Sequence, residues 1–242
     1  MLAVACWKWG QTFGPEYVNR LRAALEKHLH VEHELVCITD DATGIDSRVR
    51  IVPMPTTYAD TPRCRRRMQI FSRDFAQQIG TRILSIDLDV VIVDDITPLV
   101  DRPEPIVCWL VDYAQVYSGS FHLMDAGVLD ELWKLYEESP EGFPMVVQAR
   151  GCPSDQAMLN WHLRDHDGPV AHWTIGAGLV TYFGDGYARL EHHGVGPTRQ
   201  DLSKGARIVV LGSADKAVMD EGRFAWVREH WSALPGEATC HH

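Results

Sequence analysis

The chain reads as an α/β protein, a single domain built on a mainly parallel sheet flanked by helices. Three observations predict this. Strand-like and helix-like segments alternate through the first half in the order strand, helix, strand, strand, helix, strand, the pattern of parallel strands joined by covering helices. The helix-like segments carry apolar residues at helical spacing, each with one face to bury. The 242 residues, 45% apolar and 23% charged, suffice for a sizeable core, and no linker, repeat or low-complexity stretch divides them.

Leu2 to Cys6 is the first apolar run, ended by aromatic and glycine-containing sequence. Gly14-Pro15-Glu16 then opens a helix, with proline in the first turn and an acid near the positive helix end. Val18, Leu21, Leu25 and Leu29 line its buried face. Leu35 to Ile38 is a second strand, closed by Thr39-Asp40-Asp41, and Arg48 to Val52 a third, ended by Pro53. Met68, Phe71, Phe75 and Ile79 return to helical spacing, and Gly80 closes that helix as a C-cap. Ile83 to Ile86 is the fourth strand, leading into Asp87 and Asp89. In the second half Val107 to Val111 and Phe121 to Met124 read as strands. Leu129, Leu132, Trp133 and Tyr136 make an amphipathic helix. Ser154 caps a further helix, and Val180 to Phe183 and Arg207 to Leu211 are the last strands.

Charge and composition narrow the partners. A formal net charge of −10 argues against a general nucleic-acid binder, whose phosphate contacts need concentrated Lys and Arg. No stretch approaches the ~20 apolar residues that span a bilayer, and the N-terminus lacks a basic region before its apolar run. A cytoplasmic location is the expectation. The six cysteines are scattered singly, several in apolar runs, and read as reduced structural thiols rather than zinc ligands.

The chemistry is expected at the end of the fourth strand. Ligands of parallel α/β sheets bind at the carboxyl ends of the strands. Asp87 and Asp89, two residues apart in extended backbone, point to the same side and can face one ion. Burying two carboxylates without a cation is costly, and the run stays apolar from Val90 to Val93. Oxygen ligands of this kind suit Mg²⁺ or Mn²⁺, which take phosphate oxygens as further ligands and neutralise a diphosphate leaving group. Asp94 and Asp95 read as turn residues before Ile96-Thr97-Pro98.

With these residues in place, the sequence resembles GT-A-fold glycosyltransferases of the glycogenin and lipopolysaccharide-galactosyltransferase group. The resemblance rests on Asp87-x-Asp89 with VVIVDDITPL behind it and on Cys37-Ile38-Thr39-Asp40 after the second strand. It continues through Ser118-Gly119-Ser120-Phe121, Ser154-Asp155-Gln156, and Leu211-Gly212 followed by Lys216. It runs in order over nearly the whole chain. It implies one GT-A-like domain over 1–242, a nucleotide-binding half of about 1–100 and a sugar and acceptor half of about 101–235. The implied activity is transfer of a hexose from a nucleotide sugar, UDP-linked, to a glycan, lipid or protein acceptor, with retention of anomeric configuration.

The resemblance also implies roles. Trp7, Lys8, Thr39 and Asp40 would lie beside the nucleoside. Among the cluster Arg63, Arg65, Arg66 and Arg67, Arg66 is the residue chosen to approach the donor phosphates or sugar, since consecutive arginines diverge around a helix. Ser118 and Gly119 would line the sugar pocket, Gly119 permitting close backbone approach. Asp155 and Gln156 would meet the transferred sugar or acceptor, and Gly212 and Lys216 the diphosphate. Asp87 and Asp89 would be the metal ligands. One departure stands out. The family's histidine ligand, on the last strand before a Gly-x-x-Lys segment, is missing from Arg207 to Gly212, and the Gly–Lys spacing is one residue longer. His172, His192 and His193 are substitutes by residue type only.

Other readings fit less well. A dehalogenase-like phosphatase would carry its Asp-x-Asp on the first strand, followed by Gly-Thr. A sugar nucleotidyltransferase would carry a glycine-rich basic loop where this chain has Trp7-Lys8-Trp9-Gly10. The alternative from another class is a catalytically degenerate nucleotide- or sugar-binding relative, which would show such a missing histidine.

Overall fold

The structure is a computed structural model. It describes residues 1–56, 63–111, 115–139, 154–165, 170–181, 202, 204–211 and 216–231. In chain order the elements begin with β1 (Leu2–Lys8), α1 (Pro15–His28), β2 (His33–Thr39), β3 (Arg50–Pro53) and a 3₁₀ helix (Arg63–Phe71). Then follow α2 (Arg73–Ile79), β4 (Arg82–Ile86), β5 (Val90–Ile92), α3 (Thr97–Val100), β6 (Ile106–Val111), β7 (Val116–Asp125) and α4 (Asp130–Glu138). The remainder is α5 (Asp155–Asp165), β8 (Ala171–Trp173), a 3₁₀ turn (Ile175–Ala177), β9 (Leu179–Thr181), β10 (Ile208–Val210), α6 (Lys216–Asp220) and α7 (Ala225–His230).

The central sheet has seven strands in the order β3-β2-β1-β4-β7-β6-β8. The first four run parallel. Strand β7 enters antiparallel beside β4, β6 pairs antiparallel with β7, and β8 closes the edge parallel to β6. The sheet is therefore mixed, with parallel pairing in the majority, and β8 is a strand the sequence reading did not include. From β1 the chain builds outward through β2 and β3, then returns across β1 to lay down β4 on the other side. That reversal is the switch point where crevices open in α/β sheets.

Every residue of β1 is buried. Side chains alternate between faces. Leu2, Val4 and Cys6 join one apolar cluster with α1, β5, β9 and β10, and Ala3, Ala5 and Trp7 join another with α2, α4 and α5. The same alternation splits Leu35 and Cys37 from Val36 and Ile38 in β2. Helix α1 starts as expected, with Gly14 at the N-cap, Pro15 in the first turn, and Val18, Leu21, Leu25 and Leu29 buried. The four described cysteines, Cys6, Cys37, Cys64 and Cys108, are free.

Two local expectations change. The helix expected through Met68, Phe71, Phe75 and Ile79 is broken at Ser72, whose extended backbone ends the 3₁₀ helix and whose Oγ caps α2 by accepting from the Phe75 N–H. Both halves keep their apolar residues buried, so the spacing survives the break. Gly80 does cap α2, its N–H donating to Ala76, but its backbone is extended rather than left-handed. Glycine is needed there for room, because a Cβ would lie 2.8 Å from that of Ala3 in β1. Ser154 caps α5 as expected, accepting from the Ala157 N–H at 3.1 Å. The last two strands form a small separate sheet, β5-β10-β9, and Tyr182 and Phe183 of the expected Val180–Phe183 strand lie outside the described residues. Among the described residues, no helix is long and apolar enough to cross a membrane.

Candidate active site

A cleft of about 380 Å³ opens at the carboxyl ends of β1 and β4, lined by Trp7, Trp9, Thr12, Phe13, Cys64, Arg67, Asp87, Leu88 and Asp89. Both strand-end aspartates reach it. The Asp87 N–H donates to the Ser120 carbonyl of β7 at 3.1 Å, which holds the turn after β4 against the neighbouring strand. Asp89 is buried, and its Oδ1 has no hydrogen-bond partner among the described residues. Burial pushes the Asp89 carboxyl above its ordinary pKa, against the opposing pull of the Arg67 charge.

The guanidinium at the centre belongs to Arg67. One of its terminal nitrogens donates to Asp87 Oδ1, and the other meets Asp155 Oδ2 at 2.6 Å. Asp155 comes from the first turn of α5 and is itself buried, its Oδ1 unpartnered among the described residues. One arginine thus joins the 3₁₀ helix, the end of β4 and the start of α5. Arg66, the residue the sequence pointed to, lays its guanidinium over the ring of Trp9, another cleft residue, 5.9 Å from the centroid. Cys64 lines the same corner, its thiol pushed up to about 11, chiefly by burial.

Beside Arg67, β7 packs against α5. The Gly119 N–H donates to Gln156 Oε1 at 3.1 Å. A Cβ at Gly119 would lie 3.1 Å from the Gln156 Cβ and 3.4 Å from Arg67 Nη2, so β7 packs closely on α5 at this glycine. Ser118 is buried, and its Oγ accepts from the Ser120 N–H. Asn160 locks the two elements together. Its Oδ1 accepts from the Tyr117 N–H, and its Nδ2 donates to the Tyr117 and Gln156 carbonyls, each at 2.7 Å. Neither Arg67 nor Asn160 was singled out from the sequence, and an asparagine one helical turn after Gln156 was the available signal for the second.

The remaining expected residues divide. Trp7 lines the cleft, stacked on Phe75. Lys8, Thr39 and Asp40 gather at the adjoining ends of β1 and β2. Lys8 Nζ donates to the Asp41 carbonyl at 3.0 Å, Thr39 Oγ1 accepts from the Asp41 N–H, and Asp40 accepts from the Gly10 N–H at 3.1 Å. Lys216 is engaged elsewhere, 2.5 Å from an Asp220 oxygen and 4.7 Å from the centroid of the Tyr17 ring. The Tyr17 hydroxyl donates to the same Asp220, and burial with that neighbour raises it to about 12. His172 is exposed on β8, its Nδ1 donating to the Val170 carbonyl, and Gly212, His192 and His193 lie outside the described residues.

The last strand, which carries no histidine, lies beside the aspartates. β10 runs antiparallel to β5 with Val210 opposite Val90, and the Leu211 N–H donates to the Asp89 carbonyl at 2.9 Å. Leu211 is therefore the cross-strand neighbour of Asp89. Among the described residues, no group of three or more His, Cys, Asp and Glu is placed to hold a metal. A dication that keeps its waters and takes phosphate oxygens needs only one or two protein carboxylates. Asp89, buried with an oxygen left unpartnered, fits that demand.

The fold has solved counterparts. The chain is similar to the galactosyltransferase LgtC in complex with donor and acceptor sugar analogs, with a TM-score of 0.62 and 13% identity over 98% of each chain. It is similar also to an active-site mutant of LgtC, with a TM-score of 0.57 and 11% identity over 87% of each chain. At these identities the likeness establishes the fold, and the chain has the GT-A fold of LgtC. No protein-family profile matches the sequence, and no curated protein matches it either.

Proposed function

We propose that this chain is a nucleotide-sugar-dependent glycosyltransferase, moving a hexose from a UDP-linked donor to a glycan, lipid or protein acceptor with retention of anomeric configuration. The observation that carries the reading is Asp89, a buried carboxylate with an unpartnered oxygen beside Asp87, in a cleft at the switch point of a GT-A fold. A soluble enzyme of the cytoplasm, working as one domain, is the setting proposed.

In this reading Asp87 and Asp89 hold Mn²⁺ or Mg²⁺ when it is bound, and the ion supplies positive charge to a departing diphosphate. The chain's own residues do the rest. Trp7, Trp9 and Phe13 give the donor an apolar wall that excludes water. The nucleoside lies along Trp7, Lys8, Thr39 and Asp40, and Ser118 and Gly119 back the sugar. Asp155 offers its free Oδ1 to a sugar hydroxyl. Gln156 has its carbonyl oxygen committed to Gly119, which leaves its amide NH₂ to donate toward the reacting sugar. Gly212 and Lys216 are the residues proposed to meet the diphosphate, Lys216 exchanging the Asp220 carboxylate for a phosphate oxygen.

The test is release of free nucleoside diphosphate from a panel of nucleotide sugars with Mn²⁺, beside thermal stabilisation by the same nucleotides. Asp87→Asn and Asp89→Asn are each expected to abolish release while the protein still melts cooperatively. Near-normal turnover in both variants sinks the assignment of the site. Nucleotide binding with no turnover of any donor identifies instead a non-catalytic nucleotide- or sugar-binding relative.

A further inference from the structure

We propose that Arg67 is the resident cation of this site, balancing Asp87 where a divalent ion would, and that it keeps the metal affinity of the free protein low. The inference rests on reading the Asp87–Asp89 pair as the diphosphate and metal site. The geometry is direct. Arg67 places one terminal nitrogen on Asp87 and the other on Asp155, with the Arg67 side chain 11% exposed and that of Asp155 6%. A guanidinium is a planar fork that is never deprotonated, so it holds two carboxylates at once and does not leave by losing a proton.

A dication arriving at the aspartates of the free protein meets three obstacles. Asp87 has its Oδ1 already engaged. The arginine charge repels the ion at close range in a partly buried site. The neighbour of Asp89 across β5 and β10 is Leu211, which offers no ligand. A diphosphate reverses this balance, because it brings negative charge that both Arg67 and the metal can share. Metal and nucleotide are then expected to enter together, each weak alone.

The test is Mn²⁺ titration of the free protein followed by the electron paramagnetic resonance signal of unbound Mn²⁺, with no nucleotide and no donor present. Removing Arg67 alone leaves Asp155 as an unpaired buried charge, so the decisive variant is Arg67→Ala combined with Asp155→Asn, which removes the pair as a unit. It is expected to bind Mn²⁺ about tenfold tighter than wild type or better. Arg67→Lys, which keeps the charge, stays near wild type. Adding Asp87→Asn to the double variant erases the gain. An unchanged or weaker affinity in the cooperatively folding double variant overturns the proposal. Micromolar binding by the wild-type protein without nucleotide overturns it as well, and that arm needs no variant to fold. Donor turnover is measured separately, so failure here leaves the transferase reading standing, and a chain that never uses a donor still reports on Arg67.

Discussion

His122 offers a sharp test of how the site is built. It lies in β7 opposite Ser85 of β4 and Cys108 of β6, 3% exposed, with neither ring nitrogen partnered among the described residues. Burial, with the Arg67 charge second, pushes its pKa from 6.5 down to about 3. The folded protein therefore holds the ring neutral, while the unfolded chain takes up a proton below its ordinary value. The stability that follows is complete above pH 6.5 and is lost as pH falls from there toward 3. At about 1.4 kcal/mol per pH unit, roughly 2–3 kcal/mol is gone by about pH 4.5. With about 2–4 °C per kcal/mol for a chain of this size, that lowers the melting temperature by about 5–10 °C. His122→Leu cannot titrate and fills the site with apolar atoms in place of unpartnered nitrogens. Thermal melts at pH 7 and about pH 4.5 should show the acid-induced drop shrinking by about that amount, with no loss at pH 7. The same acid limb in the variant as in wild type would refute the reasoning and place the ring in contact with water.

The other predictions concern the site itself. Asp89→Asn should raise the melting temperature of the free protein at pH 7, because a carboxyl raised by burial loses stability as pH climbs through its folded pKa; calorimetry showing a drop at pH 7 contradicts this. The gain should be about 2–4 °C for each kcal/mol relieved, and it should vanish below the ordinary carboxyl range, where Asp89 is protonated in both states. Gly119→Ala pushes a methyl to 3.1 Å from Gln156 and 3.4 Å from Arg67 Nη2, and should cut kcat/KM for donor hydrolysis roughly tenfold for about 1–3 kcal/mol of overpacking. Wild-type kinetics in that variant would remove Gln156 and Arg67 from the donor site. Leu211→His places an imidazole opposite Asp89 and, since directly opposed side chains share a face, should tighten Mn²⁺ binding by roughly tenfold or more; an unchanged titration would mean the two side chains do not converge.

How far the sequence revealed this site can be argued residue by residue. The helix start at Pro15, the strand into Asp87 and the Ser154 cap were legible because each depends on residues next to one another in the chain. Arg67 was not, for a geometric reason. The segment Arg63–Phe71 is a 3₁₀ helix, turning about 120° per residue where an α-helix turns about 100°. Counted back from Ser72 over five residues, the two differ by about 100°, enough to exchange Arg66 for Arg67 as the residue facing the aspartates. Asn160 was hidden because its partners, Tyr117 and Gln156, include one 43 positions away. The mixed character of the sheet was hidden as well. β7 lies beside β4 only because the chain first passes through β5, α3 and β6, and no local signal states that a later strand turns back antiparallel.

Of the twelve buried side-chain atoms without a hydrogen-bond partner among the described residues, five gather around Arg67 and the strand-end aspartates, and the other seven lie on Arg22, His28, Gln69, Trp173, Trp226, His230 and Trp231. The five are Asp89 Oδ1 and Arg67 Nε in the cleft, Asp155 Oδ1 on the partner of Arg67, and both nitrogens of His122 in β7 beside β4. A chain selected for stability alone would replace them, because an unpartnered buried polar group costs about 1–3 kcal/mol and a half-satisfied ionic cluster is worse than an apolar core. The five around Arg67 leave hydrogen-bonding and charge demands that the proposed donor would meet. The chemistry of the demand is specific. The carboxylate oxygens ask for a cation or for hydroxyl donors. Arg67 stands between Asp87 and Asp155 as the charge already present. The proposed donor, with hydroxyls at one end and a diphosphate with its metal at the other, would answer both.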